Sequence, residues 1–206
     1  MTARDAVLER IRRAVAGAPP AVPVPRGYAV DGQAGHAEVV AAFVERVRDY
    51  GATVVRSGDA GRSVEDVLHD QGARAVGVPR DLEARHRPAG VDLVEDDGLP
   101  AERLDALDGA LTTCAAACAV TGTIALDGGP GQGRRALTLL PDLHVCVVRE
   151  DQIVETVPEL VRRLDPSAAE GRPIVLVSGP SATSDIELQR VEGVHGPRRL
   201  VVILLS

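Results

Sequence analysis

Three aromatic side chains, Tyr28, Phe43 and Tyr50, serve a chain of 206 residues. Aromatic rings normally supply much of a core's volume. Here that volume must come from Val, Leu, Ile and Ala, although the hydrophobic fraction, 45%, is ordinary. Aliphatic runs rich in β-branched residues belong to parallel strands covered by helices on both faces. The length fits one domain with an appended arm, and such a domain can bury a sizeable core without disulfides.

Charge and residue usage then exclude several chemistries. The formal charge of −7 argues against nucleic-acid binding, which needs a basic face. No lysine occurs in the chain, so a Schiff base, a lysine nucleophile and a phosphate-loop lysine are all excluded within it. Cys114, Cys118 and Cys146 make no even disulfide framework. Iron–sulfur clusters usually take four thiolates, so this chain cannot hold a standard one alone. A zinc site from these thiols and His144 is conceivable, but small buried cysteines on strands are commoner, and no metal is expected. There is no signal-peptide pattern and no apolar run long enough for a membrane span, so a cytoplasmic location is expected.

Along the chain, "TARDAVLERIRRAVAG" reads as an amphipathic helix, with Thr2 and Asp5 at capping-box spacing. The Pro/Gly-rich stretch after it reads as an extended arm, which places an arm at 1–35 and one α/β domain at 36–206. The first helix can pack on a partner or fold back on its own domain. From His36, helices and short strands alternate, which points to a parallel sheet. Ser63 and Asp66 have the spacing of a helix cap. "CAVTGTIALDGGPGQGRRALTLLPDLHVCVVR" breaks the alternation and reads as a hairpin-like or antiparallel excursion. Pro158 cannot sit inside a helix without cost, so a new helix is expected to start at Thr156, capped with Glu159.

Two C-terminal connections carry the most chemistry. "PIVLVS" delivers a strand end into "GPSATSDIE", where Ser184 and Glu187 have capping-box spacing and a helix should begin near Asp185. Ligands in open α/β sheets sit outside the carboxyl ends of strands, and a helix N-terminus favours an anion. Ser178, Ser181, Thr183 and Ser184 add hydroxyls. In "GVHGPRR", His195 precedes the last strand and with Asp185 can serve as general acid or base, or simply hold a turn. Thr121 and Thr123 share a strand face, and Gly122 between them permits close approach by another backbone. The run Gly128–Gly133 reads as a flexible turn, with Arg134 at its edge as a possible anion clamp. His144 and Cys146 share a strand face, with His144 at its entrance.

Taken together, "VTGTIAL", "GRRALTLLPDLHVCVV", "SGPSATSDIE" and "VEGVHGPRRLVVILL" resemble the lactate-utilisation protein C family, the LUD domain. The resemblance covers roughly Cys114 to Leu205. It implies a Rossmann-like three-layer α/β/α sandwich with a mostly parallel sheet, akin to sugar-phosphate isomerases and CoA-transferases. It implies a role in oxidising L-lactate to pyruvate beside two iron–sulfur proteins, of the lactate-utilisation A and B type. This chain would bring no cofactor of its own; the clusters would sit on those partners. The positions matched by motif are Thr121, Gly122, Thr123, Arg134, His144, Ser181, Asp185, Glu187, His195 and Gly196, with catalytic roles unassigned. On this reading a mouth formed by 178–187 and 193–198 binds a small carboxylate or meets a partner's cofactor. The alternative is a stand-alone enzyme on a phosphosugar, an acyl-CoA or a folate, using Asp185 or Glu187 with His195.

Overall fold

The computed structural model describes residues 2–17, 24, 25, 27–183, 191, 192 and 195–206. Helix α1 (Ala3–Val15) opens on the expected capping box: Thr2 N donates to Asp5 Oδ2 at 2.9 Å and Asp5 N to Thr2 Oγ1 at 3.2 Å. Its apolar stripe has no partner among the described residues. Val7, Ile11 and Val15 are 55%, 53% and 58% exposed, and no residue of α1 is buried. The distal part of the arm is tied down instead. Gly32 N donates to Glu159 at 3.2 Å and Ala34 N to Glu155 at 2.8 Å.

The domain continues through α2 (His36–Asp49), β1 (Thr53–Ser57), α3 (Ala60–Asp70), β2 (Ala75–Pro79), a 3₁₀ turn (Ala84–His86), β3 (Asp92–Asp96), α4 (Ala101–Asp105) and β4 (Gly109–Thr113). Helix α3 begins earlier than the Ser63–Asp66 spacing predicts. Asp59 caps it, accepting from Arg62 N at 3.1 Å, while Ser63 Oγ turns to Ser57 Oγ at 2.7 Å. The chain then runs through β5 (Ala116–Cys118), β6 (Thr123–Leu126), β7 (Leu143–Arg149), β8 (Ile153–Val154), α5 (Val157–Ala169), β9 (Val175–Val177), β10 (Ala182–Thr183), β11 (Val191–Glu192) and β12 (Arg199–Leu205). Thr156 caps α5 with Glu159 as expected, which leaves Pro158 in the first turn, where its missing N–H costs nothing.

Six strands form a wholly parallel sheet in the order β1-β12-β7-β4-β2-β3. The chain lays down one edge as β1 and the other as β2 and β3. It then fills the middle with β4, β7 and lastly β12. Side chains alternate between faces. On β12, Val201 and Ile203 pack with Val64, Val67 and Leu68 of α3, while Leu200, Val202 and Leu204 pack on the other face with Val40, Phe43 and Val47 of α2. Phe43, the one phenylalanine, is fully buried there. Both faces are covered, as the aliphatic strands require.

The antiparallel excursion is a second sheet, β8-β5-β6-β9, lying beside α2 on the same face. Its outer side receives Leu160 and Leu164 of α5 against Ala116, Cys118 and Ala125. Cys118 thus faces α5, whereas Cys114 and Cys146 face the central core, so the three thiols do not converge. One expectation is corrected: β9 is not a strand of the parallel sheet but pairs antiparallel with β6 in the small one. Its three residues can join either sheet, and the free edge of β6 takes them. Among the described residues no helix is long and apolar enough to cross a membrane.

Candidate functional site

The amino ends of β7 and β12 enter the main sheet side by side, with His144 and Leu200 as register partners. Strand β9 and the turn after it face these two residues across a cleft of about 230 Å³. Ser178, Gly179, Pro180 and Ser181 form one wall and His195, Gly196 and Pro197 another. The two segments are laced together: Ser181 N donates to Pro197 O at 2.8 Å, and His195 N donates to Ser181 Oγ at 3.0 Å. So the connections singled out by sequence do meet. They meet at the amino rim of the parallel sheet, because β9 belongs to the other sheet and His195 precedes β12.

His144 forms the floor. It is 2% exposed, and its Nε2 lies 2.8 Å from Thr112 Oγ1, which is itself fully buried. Burial, reinforced by the charge of Arg135, pushes its pKa down to about 4. The ring is therefore neutral near pH 7, one nitrogen donating and the other accepting.

Arg135 supplies the cleft's charge. Its Nη2 donates to His195 O at 3.1 Å and its Nη1 to Thr138 O at 3.3 Å. No carboxylate among the described residues pairs with it, and burial pulls its pKa below the usual arginine value. Its Nη1 also donates to Thr138 Oγ1 at 3.4 Å, and a partly desolvated guanidinium held only by neutral oxygens attracts an anion.

The sequence reading chose its neighbour. Arg134 turns to β3 instead, where Nε and Nη2 hold Asp96 at 2.8 and 3.0 Å. The Asp96 side chain is 1% exposed, so Arg134 compensates a buried carboxylate and is structural. The dipeptide "RR" marked the place but carried no sign of which arginine faced which way. Thr112 was also missed, since nothing local distinguishes it from any strand threonine.

The T-G-T motif stands behind the wall. Thr123 Oγ1 donates to Thr121 Oγ1 at 2.8 Å and lies 2.7 Å from Ser178 Oγ, orienting a hydroxyl that does line the cleft. Gly122 has φ +56°, and a Cβ there would come within 2.9 Å of Arg46 Cβ and 3.0 Å of the Arg46 carbonyl carbon. It lets α2 approach, the close contact expected of it. The run Gly128–Gly133 is tied down rather than open: Asp127 Oδ1 accepts from Gly129 N at 2.9 Å and Gln132 Oε1 from Asp127 N at 2.7 Å. Ser184, Asp185 and Glu187 lie outside the described residues. The segments flanking them pair as β10 and β11. His195 contributes its backbone N–H and carbonyl to the cleft wall, and its residue is exposed.

The LUD-domain profile matches residues 40–205. Lactate utilization protein C of Deinococcus radiodurans is 47% identical over 203 residues, covering 97% of this chain and 94% of that protein. A protein of the same name from Halalkalibacterium halodurans is 33% identical over 109 residues, covering 51% of this chain and 47% of its own length. A crystal structure of a DUF162 family protein from Deinococcus radiodurans superposes with a TM-score of 0.74 at 40% identity, covering 84% of this chain and all of that one.

Proposed function

The chain belongs to the LUD-domain family, and on that premise we propose that it serves an L-lactate-oxidising system by holding a small carboxylate in the cleft between its two sheets. A role in lactate utilisation follows from a relative of that name that is 47% identical over nearly the whole chain. The carboxylate rests on one observation: Arg135, partly buried, bonded among the described residues only to neutral oxygens, beside a neutral His144 and the Ser178 and Ser181 hydroxyls. Lactate and pyruvate both present a carboxylate for the guanidinium and an oxygen at the next carbon for a hydroxyl or imidazole. Three cysteines fall short of a standard cluster, which supports placing the electron acceptor on iron–sulfur partners of the A and B type.

Calorimetric titration with L-lactate and pyruvate tests this. Wild type should bind at least one of them, and Arg135→Met should bind it at least about tenfold more weakly, a loss of about 1.4 kcal/mol. The same variant should fail to restore growth on L-lactate to a strain lacking the gene. Equal binding by Arg135→Met and wild type, or no binding of either acid by wild type, refutes the assignment.

A further inference from the structure

The opposite rim of the parallel sheet carries a second cavity, of about 380 Å³, where β2, β4 and β7 end. In open parallel sheets the carboxyl rim is where ligands are held. The walls here are rigidly built. Thr113 N donates to Gly131 O at 2.8 Å and its hydroxyl to Pro130 O at 3.0 Å, which pins the glycine loop over the end of β4. Gln152 Nε2 donates to Cys114 O at 2.7 Å, and its Oε1 accepts from Arg149 N at 2.9 Å.

Two side chains in this wall have buried nitrogens without a hydrogen-bond partner among the described residues: Arg172, whose Nε keeps an ion pair with Glu170 at 3.0 Å, and His86, which has no ion pair to replace it. His86 is 2% exposed and lines the cavity, yet neither Nδ1 nor Nε2 has a hydrogen-bond partner among the described residues. Buried polar groups are almost always paired, so an orphan ring in a cavity wall marks the place of a missing partner. Burial lowers the pKa of this imidazole, and the charges of Arg85 and Arg149 add to the effect against that of Glu83. Arg149 lines the same cavity.

The wall also carries guanidinium donors that the described residues leave uncommitted. Arg149 holds Asp151 through Nε and Nη2 at 2.9 and 3.2 Å, which leaves its Nη1 donors over among the described residues. Arg163, also in the wall, donates to the Asp151 backbone carbonyl at 3.0 Å. The acidic groups of the wall are spoken for or peripheral. Asp127 is held by Arg172 at 3.1 Å and Glu83 by Arg85 at 2.8 Å, while Asp81 is exposed at the rim.

We propose that this cavity is a second ligand site, which takes a compact oxyanion group, a carboxylate or a phosphoryl group, between His86 and Arg149. The anion's oxygen accepts from the His86 N–H and from the spare Arg149 donors. This site is separate from the Arg135 cleft, on the other rim of the sheet, and does not depend on what that cleft binds.

The test is a nuclear magnetic resonance titration of the full chain, following the His86 ring signals, with inorganic phosphate in one arm and acetate in the other. At about 10 mM, ten times a Kd of about 1 mM, at least one anion should move the His86 signals saturably, and the effective arm identifies the group. Arg149→Met should abolish the movement and Arg135→Met should preserve it. If Arg149→Met fails to fold, Arg149→Lys should retain the response with at least a tenfold higher half-saturation. Calorimetry on His86→Gln should show the same loss without using the ring signal. No movement in either arm overturns the proposal. So does movement that survives in Arg149→Met, or that disappears in Arg135→Met, which would assign the anion to the cleft.

Discussion

His144 shows how a single residue can tie the cleft to the stability of the fold. Its pKa falls from 6.5 to about 4 because the folded chain removes it from water beside a guanidinium. Above pH 6.5 the ring is neutral in both folded and unfolded chains and stability is intact. As pH falls from 6.5 towards 4, the unfolded chain takes up a proton that the folded one refuses, so stability is lost over that window. The loss is about 3 kcal/mol by pH 4. Urea unfolding at several pH values should show it, and His144→Gln should flatten that part of the profile; parallel profiles would remove His144 from the account. His144 was legible in the sequence because a histidine opening an aliphatic strand is conspicuous. Arg135 was not. It shares its dipeptide with Arg134, and only the turn that follows sends one guanidinium to Asp96 and the other to the cleft.

Elements were most legible where the signal is local. The caps at Thr2 and Thr156 follow from side chains three residues apart, and both form as the spacing predicts. Helix α3 departs from that pattern because Ser63 finds a tertiary partner in Ser57 and leaves the cap to Asp59. The helix expected at Asp185 falls outside the described residues, between strands β10 and β11. Helix α1 has the periodicity of a core helix but buries nothing. Deleting residues 2–15 should therefore shift the midpoint of thermal unfolding by less than about 2 °C, since 1 kcal/mol moves it by roughly 2–4 °C in a domain this size. A larger fall, measured by circular dichroism, would show that α1 contributes to the fold despite its exposure.

At the scale of the whole molecule, β12 joins everything. It is the last strand made, lies between β1 and β7, and presents Val201 and Ile203 to one core and Val202 and Leu204 to the other. A chain ending at Arg198 should show no cooperative thermal transition, because both cores lose their central strand at once; a cooperative melt would mean that β1 and β7 can close up without it. The parallel α/β class was legible from the scarcity of aromatics and the alternation of aliphatic strands with capped helices, since neither depends on contacts between distant residues. The family was legible from motifs read in order. What only tertiary structure decided was that β9 joins β6 rather than the parallel sheet, that the cleft opens at the amino rim, and that His86 is left unpaired among the described residues beneath the carboxyl rim. Each depends on contacts between residues far apart in the chain, such as the 55 residues separating Thr123 from Ser178. Local propensity and periodicity carry no information about which distant partner a buried polar group will meet.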